Sequence, residues 1–174
     1  MEQTVTTTST KGLAIGLILV LIALATYFLD IKVNGPLQWL SYAIFIGGII
    51  WSVMSYGKQL DYHATFGNYF THGFKVAALV TAIMIIYLII FIVLFPEFKE
   101  KAIEEARKSM QEKENVTPEQ IQSGLEMVRK FFTVFLIGGT LLGYIIFGSL
   151  AALIGAAVTK KNPDYIGNTN QTGL

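Results

Sequence analysis

From Val76 to Phe95 the chain runs for 20 residues without a charged side chain. About 20 apolar residues in a helix cross the ~30 Å hydrocarbon core of a bilayer. Three more windows share this character. Gly12 to Leu29 spans 18 residues between Lys11 and Asp30. Leu37 to Tyr56 follows Asn34-Gly35-Pro36, a turn signal. Phe131 to Val158 starts after Arg129-Lys130 and ends before Lys160-Lys161; at 28 residues it must tilt, bend or protrude. A chain inside lipid must satisfy its own backbone polar groups, so apolar windows of this length predict helices. The expected fold is therefore all-α, an integral membrane four-helix bundle. Trp39, Tyr42, Trp51 and Tyr56 lie near the ends of the second window, where aromatic belts form.

Composition agrees. Of 174 residues, 53% are hydrophobic and 14% charged, against about 25% charged in a soluble domain. The net charge of +1 implies no bulk electrostatic partner. No basic stripe or nucleic-acid motif is present, so no nucleic-acid partner is expected. With no cysteine, disulfides, thiolate metal sites and cysteine nucleophiles are excluded. The first window has a rival reading, because Ala23-Leu24-Ala25 has the A-x-A form of a signal-cleavage site. The apolar run continues through Tyr27, Phe28 and Leu29, and the leader MEQTVTTTSTK is a poor basic region. The window is read as a retained span.

Between the third and fourth windows, residues 97–130 hold 8 of the 12 acids and 7 of the 13 bases. Phe98, Ala102, Ile103, Ala106 and Met110 recur at helical steps, with Asn115 as a stop and Lys113 ending the first arm. Thr117-Pro118-Glu119-Gln120 then supplies a threonine cap, a proline at the first helical position and a glutamine that closes a capping box. Ile121, Leu125, Val128 and Phe132 follow at coiled-coil-like spacing, carrying this helix into span four. Pro96 kinks the chain where it leaves span three. These signals predict an extramembrane helical hairpin between spans three and four. Its plain reading is a solvated connector; its sharper reading is a surface for a protein partner.

One domain is expected over 1–174, with spans at 12–29, 37–56, 76–95 and 131–158 and flexible tails at 1–10 and 160–174. If the hairpin is set aside as a charge-balanced unit, Lys11, Lys58, Lys75, Lys160 and Lys161 face Lys32 alone. The positive-inside rule then places both termini in the cytoplasm and the protein in the cell (inner) membrane.

No Asp, Glu, Lys, Arg or His falls within the four windows. Such residues mark proton relays and ion pathways. No hydrolase, zincin, Walker or dinucleotide-binding motif is present. No catalytic, cofactor-binding or metal-binding residue is therefore expected. Small residues do form rows: Gly12 and Gly16, Gly47 and Gly48, Gly139 and Gly143, then Gly148, Ala152 and Ala156. At this spacing helix backbones approach closely, within the bundle or between copies in a homo-oligomer.

The segment FGNYFTHGF, residues 66–74, concentrates aromatics just before span three. On a helical wheel Phe66, Tyr69, Phe70, Gly73 and Phe74 share one face, opposite Asn68, Thr71, His72 and Lys75. An interfacial amphipathic helix at 65–75 is expected, capped by Thr65 and either lying flat or forming the first turns of span three. Its candidate patch is Tyr62, His63, Phe66, Tyr69, Phe70, His72 and Phe74, with His72 on the wet side.

Taken in order, Phe66-Gly67, Phe70, Gly73-Phe74, Pro96-Glu97-Phe98, Thr117-Pro118-Glu119-Gln120-Ile121, Met127, the glycine-rich last span and Lys160-Lys161-Asn162-Pro163 resemble a known family. It is the bacterial four-span membrane proteins catalogued as domain of unknown function 4199. The resemblance implies a membrane protein with no established activity, and it carries over no site residue. The leading expectation is a non-enzymatic accessory or scaffold protein using its hairpin or interfacial helix for partner contact, with the lipid bilayer as its surroundings. The second is an oligomeric transport or channel-like component; the third is a lipid-acting enzyme using His63 or His72.

Overall fold

The computed structural model describes residues 7–29, 36–112 and 117–162. Asn34-Gly35 of the turn signal, the expected stops at Lys113 and Asn115, and residues 1–6 and 163–174 of the tails lie outside the described residues. Five helices and no strand occur among the described residues: α1 Thr8–Phe28, α2 Pro36–Gln59, α3 Phe66–Leu94, α4 Glu97–Gln111 and α5 Pro118–Val158. α1, α2, α3 and α5 are each long and apolar enough to cross a bilayer.

Local chemistry sets several boundaries. The Thr7 hydroxyl accepts from the Thr10 backbone N–H, so α1 starts inside the expected flexible tail. The Thr65 hydroxyl accepts from the Asn68 N–H at 3.3 Å and opens α3. That helix continues through Gly73 to Leu94 as one piece. The segment 65–75 is thus the first turns of the span rather than a separate flat helix. Pro96 lies between α3 and α4. At Thr117 the Gln120 side chain accepts from the Thr117 N–H at 3.0 Å, and the Thr117 hydroxyl accepts from the Gln120 N–H at 3.3 Å. Reciprocal caps of this kind satisfy two otherwise orphaned donors. α5 then runs 41 residues, about 60 Å at 1.5 Å per residue and twice the hydrocarbon thickness.

The chain divides into two compact units, residues 1–84 with 143–174, and residues 85–142. In the first unit α1, α2, α3 and the end of α5 alternate in direction. Gly12 and Gly16 of α1 lie against Leu79 and Ile83 of α3, so these two run parallel. Gly48 of α2 meets Ile15, while Gly148 of α5 meets Ala77. The core combines Ile15, Leu19, Phe45, Ile49, Val76, Val80 and Ala152, continued by Val53, Tyr69 and Ala156. Only 28% of the most apolar window of each span is buried. Leu21, Trp39 and Ile86 are among the large side chains left exposed. Water would not tolerate so much contiguous apolar surface; lipid does.

The second unit joins the end of α3, α4 and the first part of α5. Ile103 and Phe132 are buried there. Phe98 packs edge-on to both Phe91 and Phe132, and the Met110 thioether lies against Gly124. Arg129 and Glu100 form an ion pair at 3.1 Å, with both side chains more than 60% exposed. Such a pair adds little stability. The hairpin's cohesion comes from its aromatic seam.

Candidate functional site

Polar side chains converge at one end of the first unit, where α1 begins, α2 ends and α3 begins. His72, nearly two turns inside α3, is 5% exposed. Its Nε2 lies 3.1 Å from the Ser52 hydroxyl of α2, and its Nδ1 lies 3.2 Å from the Thr8 hydroxyl of α1. The Tyr56 ring stacks on it with centroids 4.1 Å apart and planes 4° from parallel. Lys11, one turn on from Thr8, is 3% exposed. Its Nζ donates to the Ser55 hydroxyl at 3.0 Å and to the Ser52 carbonyl at 3.3 Å, and it sits over the Trp51 ring. The expectation of a wet His72 is therefore wrong. Hydroxyls from two neighbouring helices take both ring nitrogens, which lets the imidazole turn inward without leaving an unmet donor or acceptor.

The inward face of α3 is correspondingly rotated from the aromatic face expected. Tyr69, His72, Gly73 and Val76 point into the unit; Phe66 and Phe74 are exposed and Phe70 is half-buried. The Tyr69 ring is fully buried edge-on to Tyr56, and its hydroxyl has no hydrogen-bond partner among the described residues. Tyr62 and His63 lie in the turn joining α2 to α3. Asp61 and Tyr62 there adopt left-handed backbone, with φ of 49° and 62°. The Tyr62 N–H donates to the Gly57 carbonyl, and the Tyr62 carbonyl accepts from the Asn162 N–H. The Asn162 side-chain amide lies 3.1 Å from His63 Nε2. This ties the residues after α5 to the α2–α3 turn, so Lys160–Asn162 are not a loose tail. The candidate patch thus divides into a buried pair, Tyr69 and His72; an outward set, Phe66 and Phe74; and a turn, Tyr62 and His63.

The small-residue rows also divide. Gly12, Gly16, Gly48 and Gly148 each meet a side chain of another helix, and Ala152 and Ala156 are fully buried. Gly47, Gly139 and Gly143 have nothing within 4 Å of where a Cβ would stand. Gly73, absent from those rows, makes the closest backbone approach, with Ala152 Cα 3.1 Å from its would-be Cβ. Ala77 stands four positions on along α3 and itself meets Gly148, so Gly73 and Ala77 form a further small-residue row that the sequence reading left out.

Ser52 with His72 and Thr8 has the spacing of a nucleophile, a base and an orienting group. Yet Ser52 is fully buried inside a regular helix. No group of three or more His, Cys, Asp or Glu side chains able to hold a metal occurs among the described residues. The arrangement is a buried polar clasp joining three helices.

Four bilayer-length helices with apolar surfaces define a multi-pass helical membrane protein. The chain belongs to the family described as protein of unknown function DUF4199, which it matches over residues 10–161. No curated protein and no solved structure matches it.

Proposed function

We propose that the protein is a non-enzymatic accessory or scaffold of the cell (inner) membrane, presenting its hairpin to a protein partner. The observation that carries this reading is how the hairpin folds. Its buried Ile103 and half-buried Phe98 turn inward, and Phe98 packs edge-on to Phe132 at the start of span four. Glu104, Glu105, Arg107 and Lys108 remain exposed on one short helix. A surface of both charge signs on a rigid helix suits a protein partner, since complementary charge sets specificity and register. The closed clasp supports the non-enzymatic side of the proposal, because a substrate has no approach to Ser52. Both termini are assigned to the cytoplasm, on the strength of the lysines at the ends of α2 and α5 and the starts of α1 and α3. Three spans precede residues 97–130, so this assignment puts the hairpin outside the cytoplasm.

A photo-crosslinking residue at Ser109, in membranes holding the full chain, is expected to give one discrete adduct. Replacing Glu104, Glu105, Arg107 and Lys108 by serine should reduce that adduct at least ten-fold with unchanged thermal stability. A diffuse smear, or an adduct indifferent to those four changes, would sink the proposal.

A further inference from the structure

Every lysine described in the first unit stands at one end of it. Lys11 begins α1, Lys58 ends α2, Lys75 is in the third turn of α3, and Lys160 and Lys161 follow α5. Contacts between these same helix ends place them at one level: Lys11 with Ser55, Thr8 with His72, Gly57 with Thr159, and Asn162 with Tyr62. Asp61 is the one acid among the described residues of this unit. Lys58, Lys75 and Lys160 are exposed. Lys11 adds a buried positive charge whose hydrogen-bond acceptors, Ser52 O and Ser55 Oγ, are neutral.

Exposed aromatics occupy the same level. Trp51 is 60% exposed, Phe66 42% and Phe74 40%, and the Lys161 ammonium sits over the Phe66 ring. Aromatic rings alternating with lysines at the ends of spanning helices mark headgroup depth. At that depth the available counter-anion is the lipid phosphate. We propose that this lysine rim is a docking surface for anionic phospholipid headgroups. The phosphates pair with Lys58, Lys75 and Lys160, and the acyl chains lie against Trp51, Phe66 and Phe74. A purely aqueous anion would have no use for the aromatics, whereas a phospholipid brings its acyl chains to the same depth as its phosphate. The inference concerns a different surface from the hairpin and stands whichever way the protein is oriented.

The test uses the full chain in neutral detergent with phosphatidylglycerol and phosphatidylcholine of identical acyl chains, bound lipid being counted by native mass spectrometry. Phosphatidylglycerol should bind at least ten-fold more tightly. The triple variant Lys58→Gln, Lys75→Gln, Lys160→Gln should lose that preference, at about five-fold per lysine. The matching arginine triple should keep it, which separates lost charge from lost fold. Lys101→Gln, Arg107→Gln, Lys108→Gln on the hairpin should leave it unchanged. Equal binding of the two lipids, or equal losses in both glutamine triples, overturns the proposal. So does displacement of phosphatidylglycerol by millimolar inorganic phosphate, which would reveal a free-anion site.

Discussion

Gly73→Leu is expected to lower the thermal unfolding midpoint in detergent by about 10 °C or more. A Cβ at this position would stand 2.7 Å from Val53 Cγ2, 2.9 Å from Ala152 Cβ and 3.1 Å from Ala152 Cα. The last of these is backbone and cannot swing aside, so α3 and α5 must separate. Overpacking a tight core costs typically 1–3 kcal/mol and more where backbone has to move. At this chain length each kcal/mol shifts the midpoint by roughly 2–4 °C. Gly139→Leu and Gly143→Leu add a side chain where nothing lies within 4 Å, and should shift the midpoint by no more than about 2 °C. Tryptophan emission from Trp39 and Trp51 follows the transition. If Gly73→Leu unfolds with the wild type, or if Gly139→Leu is equally damaging, the helix contacts are misassigned.

His72→Ala should cost about 2–4 kcal/mol, the second large effect. It removes the Tyr56 stack and deprives two hydroxyls, one of them the fully buried Ser52, of their ring-nitrogen partner. Leaving a buried polar group unmet costs about 1–3 kcal/mol. Ser52→Ala alone should cost about 1 kcal/mol. The double variant should fall short of the sum of the two singles by about 1 kcal/mol or more, as residues sharing a bond do. Strict additivity would mean that the clasp does not exist in solution.

These two residues also show what the chain reveals along its length and what it hides. The four spans and the capping box at Thr117 are local facts: a charge-free run sets a helix, and Thr117 and Gln120 are three residues apart. The clasp is tertiary. His72 looks wet on a wheel because Asn68 and Lys75 flank it on the polar side. It is buried because Thr8, 64 positions away, and Ser52, 20 positions away, bring hydroxyls to it. A hint was present all the same. Thr8 and Lys11, Ser52, Ser55 and Tyr56, and His72 each stand within two or three turns of the same ends of α1, α2 and α3. Glycine spacing shows the same limit. Gly12 with Gly16 and Gly139 with Gly143 are identical patterns, yet the first pair is packed and the second open. Spacing places residues on one face, while the partner of that face is set by the other helices.

The central claim is that α1, α2, α3 and α5 all cross the bilayer. Because the chain has no cysteine, Asn68→Cys and Ser109→Cys, each at an exposed position, can be labelled singly. The measurement is reaction with a membrane-impermeant maleimide in intact expressing cells, before and after permeabilisation. Ser109→Cys should react in intact cells, and Asn68→Cys only after permeabilisation. Reaction of both positions from the same side would contradict the four-span account.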